Sequence, residues 1–135
     1  MHPYEFSASL RFSGPDFETE LISAFLGFEP KSKHSKGAAR TAPGGKLLGG
    51  VYEASYCSFL LCKRRGGDLG VFLSGELDRF EKQAANFESH IASGNKVEFF
   101  IGWYGAGNIG EVFSSLLLRR MGTLGIDRAL DIYAA

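Results

Sequence analysis

The sequence predicts an α+β fold: a two-layer sandwich in which a four- or five-stranded mixed sheet carries three helices mostly on one face. Residues 4–12 alternate apolar and polar side chains, which is typical of a strand with one wet face. Strand and helix signals then alternate along the chain, as expected for a layered α/β arrangement. No linker, repeat or low-complexity segment interrupts them, so residues 1–135 are expected to form one domain.

Further strands are predicted at 51–63, 96–104 and 126–134, where apolar runs lie between turn residues. A short extra strand around Lys46–Leu48 would form a hairpin and bring the plan near a ferredoxin-like arrangement. Helices on both sides of the sheet are disfavoured, because the polar face of the first strand must meet water or a polar partner.

Two helices are indicated by capping residues and by apolar spacing. The first follows the first strand, with Asp16 as its N-cap and Gly27 as its stop. The longest covers 74–94, with Ser74 as its N-cap and Gly94 as its stop. Its buried stripe repeats every three or four residues and consists of Leu73, Leu77, Phe80, Ala84, Phe87 and Ile91.

A glycine-rich turn, "GWYGAGNIGE", follows the strand at 96–104 and has the spacing of a dinucleotide-binding loop at Gly105, Gly107 and Gly110. No third strand remains after it to complete a nucleotide-binding half. Asn108 as the cap of a third helix, with Glu111 three residues on, explains the same residues. We therefore predict a turn without a cofactor. Gly107, Asn108 and Gly110 remain candidates to contact a small anion through free N–H groups.

Residues 31–46 contain five basic residues and one histidine, with no acidic residue and no apolar periodicity. This pattern predicts a long, exposed and mobile loop. Its charge makes it the best candidate to touch an acidic partner surface or a phosphate. The candidate interaction residues are Lys31, Lys33, His34, Lys36 and Arg40.

The composition bounds the class of protein. The 135 residues carry 15 basic and 15 acidic side chains, and this zero net charge argues against a general electrostatic grip on nucleic acid or anionic lipid. No apolar run is long enough to span a membrane, and the N-terminus lacks the pattern of a secretion signal, so the cytoplasm is the expected compartment.

No catalytic or metal-binding motif stands out. Cys57 and Cys62 lie in one apolar stretch and are interpreted as reduced, packed side chains, and the scattered histidines give no zinc spacing. Asp127 and Asp131 share one face of the last strand, where a solvated pair is favoured over an acid–base pair. We predict no catalytic residues and no metal.

The strand at 96–104 places two aromatic residues, Phe100 and Tyr104, on the side opposite the helices. Large aromatic side chains left in the open mark a contact surface. We expect a second subunit or another protein to cover this face, with a homodimer as the simplest case. The rival interpretation is that the loop 31–46 folds over the face within one chain.

The helix-ending "LGFEP", the pair Lys36–Gly37 and the terminal "LDIY" lie in an order of elements that resembles the bacterial family called domain of unknown function 4279. The resemblance covers nearly the whole chain. It implies a small bacterial α+β protein and brings no activity, cofactor or site residues with it.

Two classes of function remain open. The sequence favours a non-enzymatic binding or interaction module, such as a regulatory or immunity-like partner of another protein. The alternative is an enzyme or a small-ligand or anion sensor, whose site would be formed by the basic loop 31–46 and the glycine turn 105–110. An enzyme should bring at least two titratable groups together in a cleft, and the sequence offers no obvious set.

Overall fold

The part of the chain that the structure describes, residues 3–134 of a computed structural model, forms a five-stranded sheet and a separate two-stranded hairpin. The strands are β1 (Glu5–Gly14), β2 (Ser32–His34), β3 (Ala39–Thr41), β4 (Leu47–Val51), β5 (Ser55–Gly66), β6 (Lys96–Gly105) and β7 (Ile126–Ala134). The large sheet has the order β2-β5-β1-β6-β7, and β3 pairs with β4. β6 and β7 are parallel, and the other neighbours are antiparallel. The predicted mixed sheet is confirmed.

The helices are α1 (Thr19–Leu26), α2 (Leu69–Phe80), α3 (Ala84–Ala92) and α4 (Ser115–Thr123). A 3-10 turn at Glu81–Gln83 joins α2 to α3, so the predicted single helix over 74–94 is in fact two helices. The buried residues of the helices meet the apolar side of the sheet, which confirms the two-layer α+β class. β1, β2, β5 and β6 have the ferredoxin-like order, because the crossovers β1–α1–β2 and β5–α2–α3–β6 each join parallel strands with one antiparallel strand between them, and β7 extends the sheet beside β6.

The helix starts differ from those that the sequence predicts. The N-cap of α1 is Glu18 rather than Asp16, and its side chain makes no capping hydrogen bond. α2 begins earlier than predicted, because Asp68 Oδ1 accepts a hydrogen bond from the Val71 amide at 3.0 Å. Ser74, the predicted cap, lies inside α2, and Arg120 donates to its hydroxyl at 2.7 Å.

The start of the last helix is also displaced. α4 begins at Ser115, and the hydroxyl of Ser114 caps it by accepting from the Leu117 amide at 3.1 Å. The prediction that Asn108 and Glu111 cap this helix is therefore wrong. Capping patterns are short and common, and a nearby serine at the true start satisfies the free N–H groups equally well.

The core lies between the sheet and the helices and is strongly aromatic. Phe12 of β1 is fully buried, and its ring contacts the rings of Phe25, Phe59 and Phe87, with centroids 5.8–6.0 Å apart. Because these rings belong to β1, α1, β5 and α3, this one cluster ties four elements together.

The segment 31–46 is more ordered than the predicted loop. β2 pairs with β5, and the Lys31 amide extends this pairing by donating to the Ser58 carbonyl at 2.7 Å. β3 and β4 then form the hairpin that the extra strand near Lys46–Leu48 implied. The prediction of a loop without secondary structure is wrong at these places, because three-residue strands are too short to show a periodicity. Its prediction of exposure holds, since most of residues 31–46 are exposed.

Candidate functional site

Every second residue of the large sheet points away from the helices and forms a surface that we call the uncovered face. β1 alternates cleanly: Phe6, Leu10 and Phe12 are buried under the helices, and the residues between them face the other way. Paired positions in neighbouring strands share a face. By this register, the uncovered face includes Ser32, His34, Tyr56, Ser58, Leu60, Lys63, Arg64, Glu5, Ser7, Ser9, Arg11, Lys96, Glu98, Phe100, Gly102, Tyr104, Asp127, Ala129, Asp131 and Tyr133.

A shallow groove of about 750 Å³ crosses this face. Four serines line it, Ser7, Ser9, Ser32 and Ser58, and Gly102 lies beside Ser7, where a Cβ would come within 2.5 Å of Ser7 Oγ. Four basic side chains and one acidic side chain line the groove: Arg11, Lys31, Lys63, Arg64 and Glu29.

Phe100 and Tyr104 lie on the uncovered face, as the sequence predicts, but neither ring is bare. The guanidinium of Arg11 lies 3.5 Å from the centroid of the Phe100 ring and pairs with Glu98 at 3.6 Å. The guanidinium of Arg64 lies 4.2 Å from the centroid of the Tyr104 ring. These cation–π contacts hold both aromatic side chains in fixed positions at the edge of the groove.

The candidate residues of the segment 31–46 are spread over three places. Lys31 lines the groove, whereas Lys33 pairs with Glu20 of α1 at 3.7 Å. His34 stacks on Tyr52 with ring centroids 3.8 Å apart. Lys36 and Arg40 are exposed on the hairpin side.

The rival interpretation, in which this segment folds over the uncovered face, receives little support from the lining of the groove. Only Lys31 and Ser32 of the segment contribute to that lining. Most of the segment lies beyond the groove, with β2 at the edge of the large sheet.

The glycine turn lies at the other end of the sheet from β2. Tyr104 is level with Glu5 of β1, whereas β2 is level with Ser58 to Tyr56 of β5 and therefore with Arg11 to Ser13 of β1. The six to eight residues between these levels correspond to about 20–26 Å along β1. Within one chain, the segment 31–46 and the glycine turn therefore do not form a common site.

The geometry of the turn has a local explanation. Gly107 has a positive φ of 76°, and a Cβ at Gly105 would overlap the side chain of Ile109, which folds back over it. Gly107, Asn108 and Gly110 lie in an irregular segment before α4 and not at the first turn of a helix. Glu111 accepts a hydrogen bond from the Tyr4 hydroxyl at 2.6 Å, which ties this segment to the start of β1.

The charges of the uncovered face are divided between its two sides. On the side of β2 and β5, Lys31, Lys63 and Arg64 line the groove beside one acidic residue, Glu29, and Arg64 pairs with Glu5 of β1 at 2.9 Å. On the opposite side, β6 and β7 present Glu98, Asp127 and Asp131 to this face, with Lys96 as the one base at the start of β6. The zero net charge of the chain conceals this separation.

The two cysteine side chains, Cys57 and Cys62, are free and form no disulfide. Burial raises the pKa of Cys57 to about 12, so its thiol stays protonated. Among residues 3–134, no group of three or more His, Cys, Asp or Glu side chains is placed to hold a metal ion. In the same part of the chain, no helix has both the length and the apolarity needed to cross a bilayer.

His90 of α3 is buried behind Phe12 and Phe17, and its Nε2 lies 3.1 Å from the Lys96 carbonyl. Burial lowers the pKa of His90 below its usual value of 6.5, because the charged form loses hydration, while the bond to Lys96 acts in the opposite direction.

This lowered pKa predicts a pH dependence of stability. Below pH 6.5 the unfolded chain takes up a proton at position 90 before the folded chain does, so the free energy of unfolding falls as the pH drops from 7 towards 5. His90→Gln should remove this part of the slope. Urea unfolding of the wild type and of His90→Gln at pH 7 and pH 5 measures the change in the free energy of unfolding for each protein. The contributions of the other titrating groups are the same in both proteins and cancel when the two changes are subtracted. Identical slopes would contradict the prediction.

Comparison of the chain with protein-family models, with curated proteins and with solved structures found no match in any of the three. The candidate site therefore rests on the geometry above. Sequence analysis missed Lys63, Arg64 and Asp131 as parts of it. The alternation of apolar and polar residues in β1 was the available signal, since it places Ser7, Ser9 and Arg11 on the solvent-facing side. The residues of β5 and β7 on the same face can be identified only when the pairing register of the strands is known.

Proposed function

We propose that this protein is a non-catalytic interaction module that binds a second copy of itself through the uncovered face. The observation that carries the proposal is the division of charge on that face, with Lys63 and Arg64 on one side of β1 and Asp127 and Asp131 on the other. A face of this kind is complementary to a rotated copy of itself, which is the requirement for a symmetric dimer. The likeness to the domain of unknown function 4279 family is part of the same proposal and adds no activity.

The register defines which rotation would work. A two-fold axis parallel to β1 and between two stacked sheets keeps each residue at its level along the strands and exchanges the two sides of the sheet. β1 then lies over β1 of the second copy, β5 over β6, and β2 over β7. An axis perpendicular to the strands would instead place basic residues over basic residues.

Under the parallel axis, the matched levels bring opposite charges together. Arg11, Glu98 and Asp127 form one level of the sheet with Ser32, so the neighbouring Lys31 would face Asp127 of the second copy. Lys63 lies near the level of Ser7, Gly102 and Asp131, so it would lie over Gly102 of β6 in the second copy, and its long side chain would reach Asp131 on the adjacent strand β7. Sheets stacked in this way pack about 10 Å apart, which long basic side chains can bridge.

The size of the surface is adequate. Strands about 4.8 Å apart and about ten residues long give the face an area of roughly 600–700 Å², close to the ~800 Å² per partner of a standard interface. The aromatic side chain of Phe100, level with Ser9 of β1, lies near its middle, where such residues contribute most to binding, and Tyr104 lies at its end.

Exchange of one charge pair tests this arrangement. Lys63→Glu and Asp131→Lys should each raise the dissociation constant of the dimer about tenfold or more, because each interface contains the pair twice and like charges then oppose each other. The double variant should restore the dimer, since the opposite charges face each other again. The dissociation constant is measured by light scattering and sedimentation at protein concentrations between 1 and 200 μM, because weak dimers dissociate in the ~μM range.

Lys82→Glu is the matched control, because Lys82 is exposed in the 3-10 turn on the helix side and should leave the dimer unchanged. A wild-type chain that stays monomeric over the whole range would overturn the proposal. A dimer that both single variants leave intact would overturn it as well.

A further inference from the structure

A second surface, on the helix layer, has the features of a ligand site. A cleft of about 670 Å³ lies between α1 and α3, which is within the range of small-molecule pockets. We propose that this cleft binds a small organic cation: an amine with an apolar body. The cleft is on the other side of the sheet from the uncovered face, so the proposal is independent of self-association.

The walls of the cleft suit the apolar part of such a ligand. Phe17, Ile22 and Phe25 line it, and the ring of Phe17 meets the edge of His90 with centroids 4.7 Å apart. Leu21 also lines the cleft and is 61% exposed. A bound apolar group would remove this side chain from water.

The charged side chains of the cleft determine which charge a ligand must carry. Asp16 and Glu18 are its charged lining residues, and no lysine or arginine lines it. A ligand with an anionic head would meet these two carboxylates without a cationic partner in the lining, whereas an ammonium group would be attracted by both. The carboxylates lie at the α1 end of the cleft, which places the cationic head there.

The buried polar groups are also hydrogen-bond acceptors. The Lys96 carbonyl can only accept, so Nε2 of His90 carries the hydrogen and Nδ1 is left as an acceptor. Asn95 also lines the cleft, but its Oδ1 is buried against Gly14, where a ligand in the cleft does not reach it. Nδ1 of His90 is therefore the acceptor that a ligand would meet, and a primary ammonium group supplies the donor.

Three aromatic probes of similar size and different charge test the proposal by NMR titration of the full chain. Benzylammonium should shift the amide signals of residues 16–25 and 86–95 and saturate at millimolar concentration. Benzyl alcohol, which lacks the charge, should bind at least tenfold more weakly, and phenylacetate should not bind there. Equal binding of all three probes, or shifts that follow every exposed acidic residue instead of the cleft, would overturn the proposal.

Two variants locate the site. Ala24→Phe places a ring at the exposed lining position of α1 and should abolish saturable binding of benzylammonium without disturbing the buried core. The double variant Asp16→Asn, Glu18→Gln should weaken it at least fivefold and leave the affinity for benzyl alcohol unchanged. Glu53→Gln, an exposed acid that does not line the cleft, is the matched control and should have no effect. Unchanged binding in Ala24→Phe would contradict the assignment of the cleft.

Discussion

Phe12→Ala should lower the free energy of unfolding by about 3–5 kcal/mol, the cost typical of removing a buried phenylalanine side chain. Phe12 is fully buried, and its ring lies against Phe25, Phe59 and Phe87. Because β1 has a neighbouring strand on each side and a helix above it, the surrounding structure cannot close the cavity without moving several elements. Urea unfolding followed by circular dichroism measures the loss.

Val112→Ala serves as the comparison. Val112 is 88% exposed in the segment before α4, and surface changes of this kind stay within about 0.5 kcal/mol. If Phe12→Ala lowers the free energy of unfolding by less than Val112→Ala does, the aromatic cluster is not the centre of the core.

Tyr4→Phe should cost about 1–3 kcal/mol although it removes a single oxygen atom, because buried polar groups then lose a hydrogen-bond partner. The Tyr4 hydroxyl donates to Glu111 at 2.6 Å and accepts from the amide of Leu69, the first residue of α2, at 3.1 Å. Burial and the bond to Glu111 raise the pKa of Tyr4 to about 12, so the hydroxyl keeps its hydrogen at all ordinary pH values. The loss should therefore be the same at pH 7 and pH 9.

Tyr52→Phe is the matched control for this change. The Tyr52 hydroxyl is exposed and makes only long contacts of 3.4–3.5 Å to Thr41, so its removal should change stability by less than about 0.5 kcal/mol. Thermal unfolding of the two variants beside the wild type separates them. Equal effects of the two substitutions would contradict the role given to Tyr4.

The parts of the fold that follow one local pattern were predictable from the sequence. β1, β6 and β7 were placed to within a few residues, because each has a run of alternating or apolar residues between turn signals. The helix starts were not, since several residues near each start can cap a helix and only tertiary packing selects one. Asp68 and Ser114 cap their helices because the adjacent apolar stripes already face the core there.

The candidate site was predictable only in part, for a reason that concerns distance along the chain. Phe100 and Tyr104 were found because their strand alternates within itself. The charge division was not, because it depends on which residues of β5 and β7 lie level with β1, and a bulge in β5 beside Ala8 shifts that register. A composition summed over the whole chain also hides charges that the fold places on opposite sides.

The position of β1 at the middle of the sheet has a consequence for how the protein is made. Both neighbours of β1 come later in the chain: β5 begins at Ser55 and β6 begins only at Lys96. During synthesis, β1 leaves the ribosome with two bare edges, gains β5, and keeps one unpaired edge until β6 has been translated. Pairing across such long separations closes slowly, so the nascent chain presents the backbone N–H and C=O groups of one β1 edge to its surroundings for that whole interval.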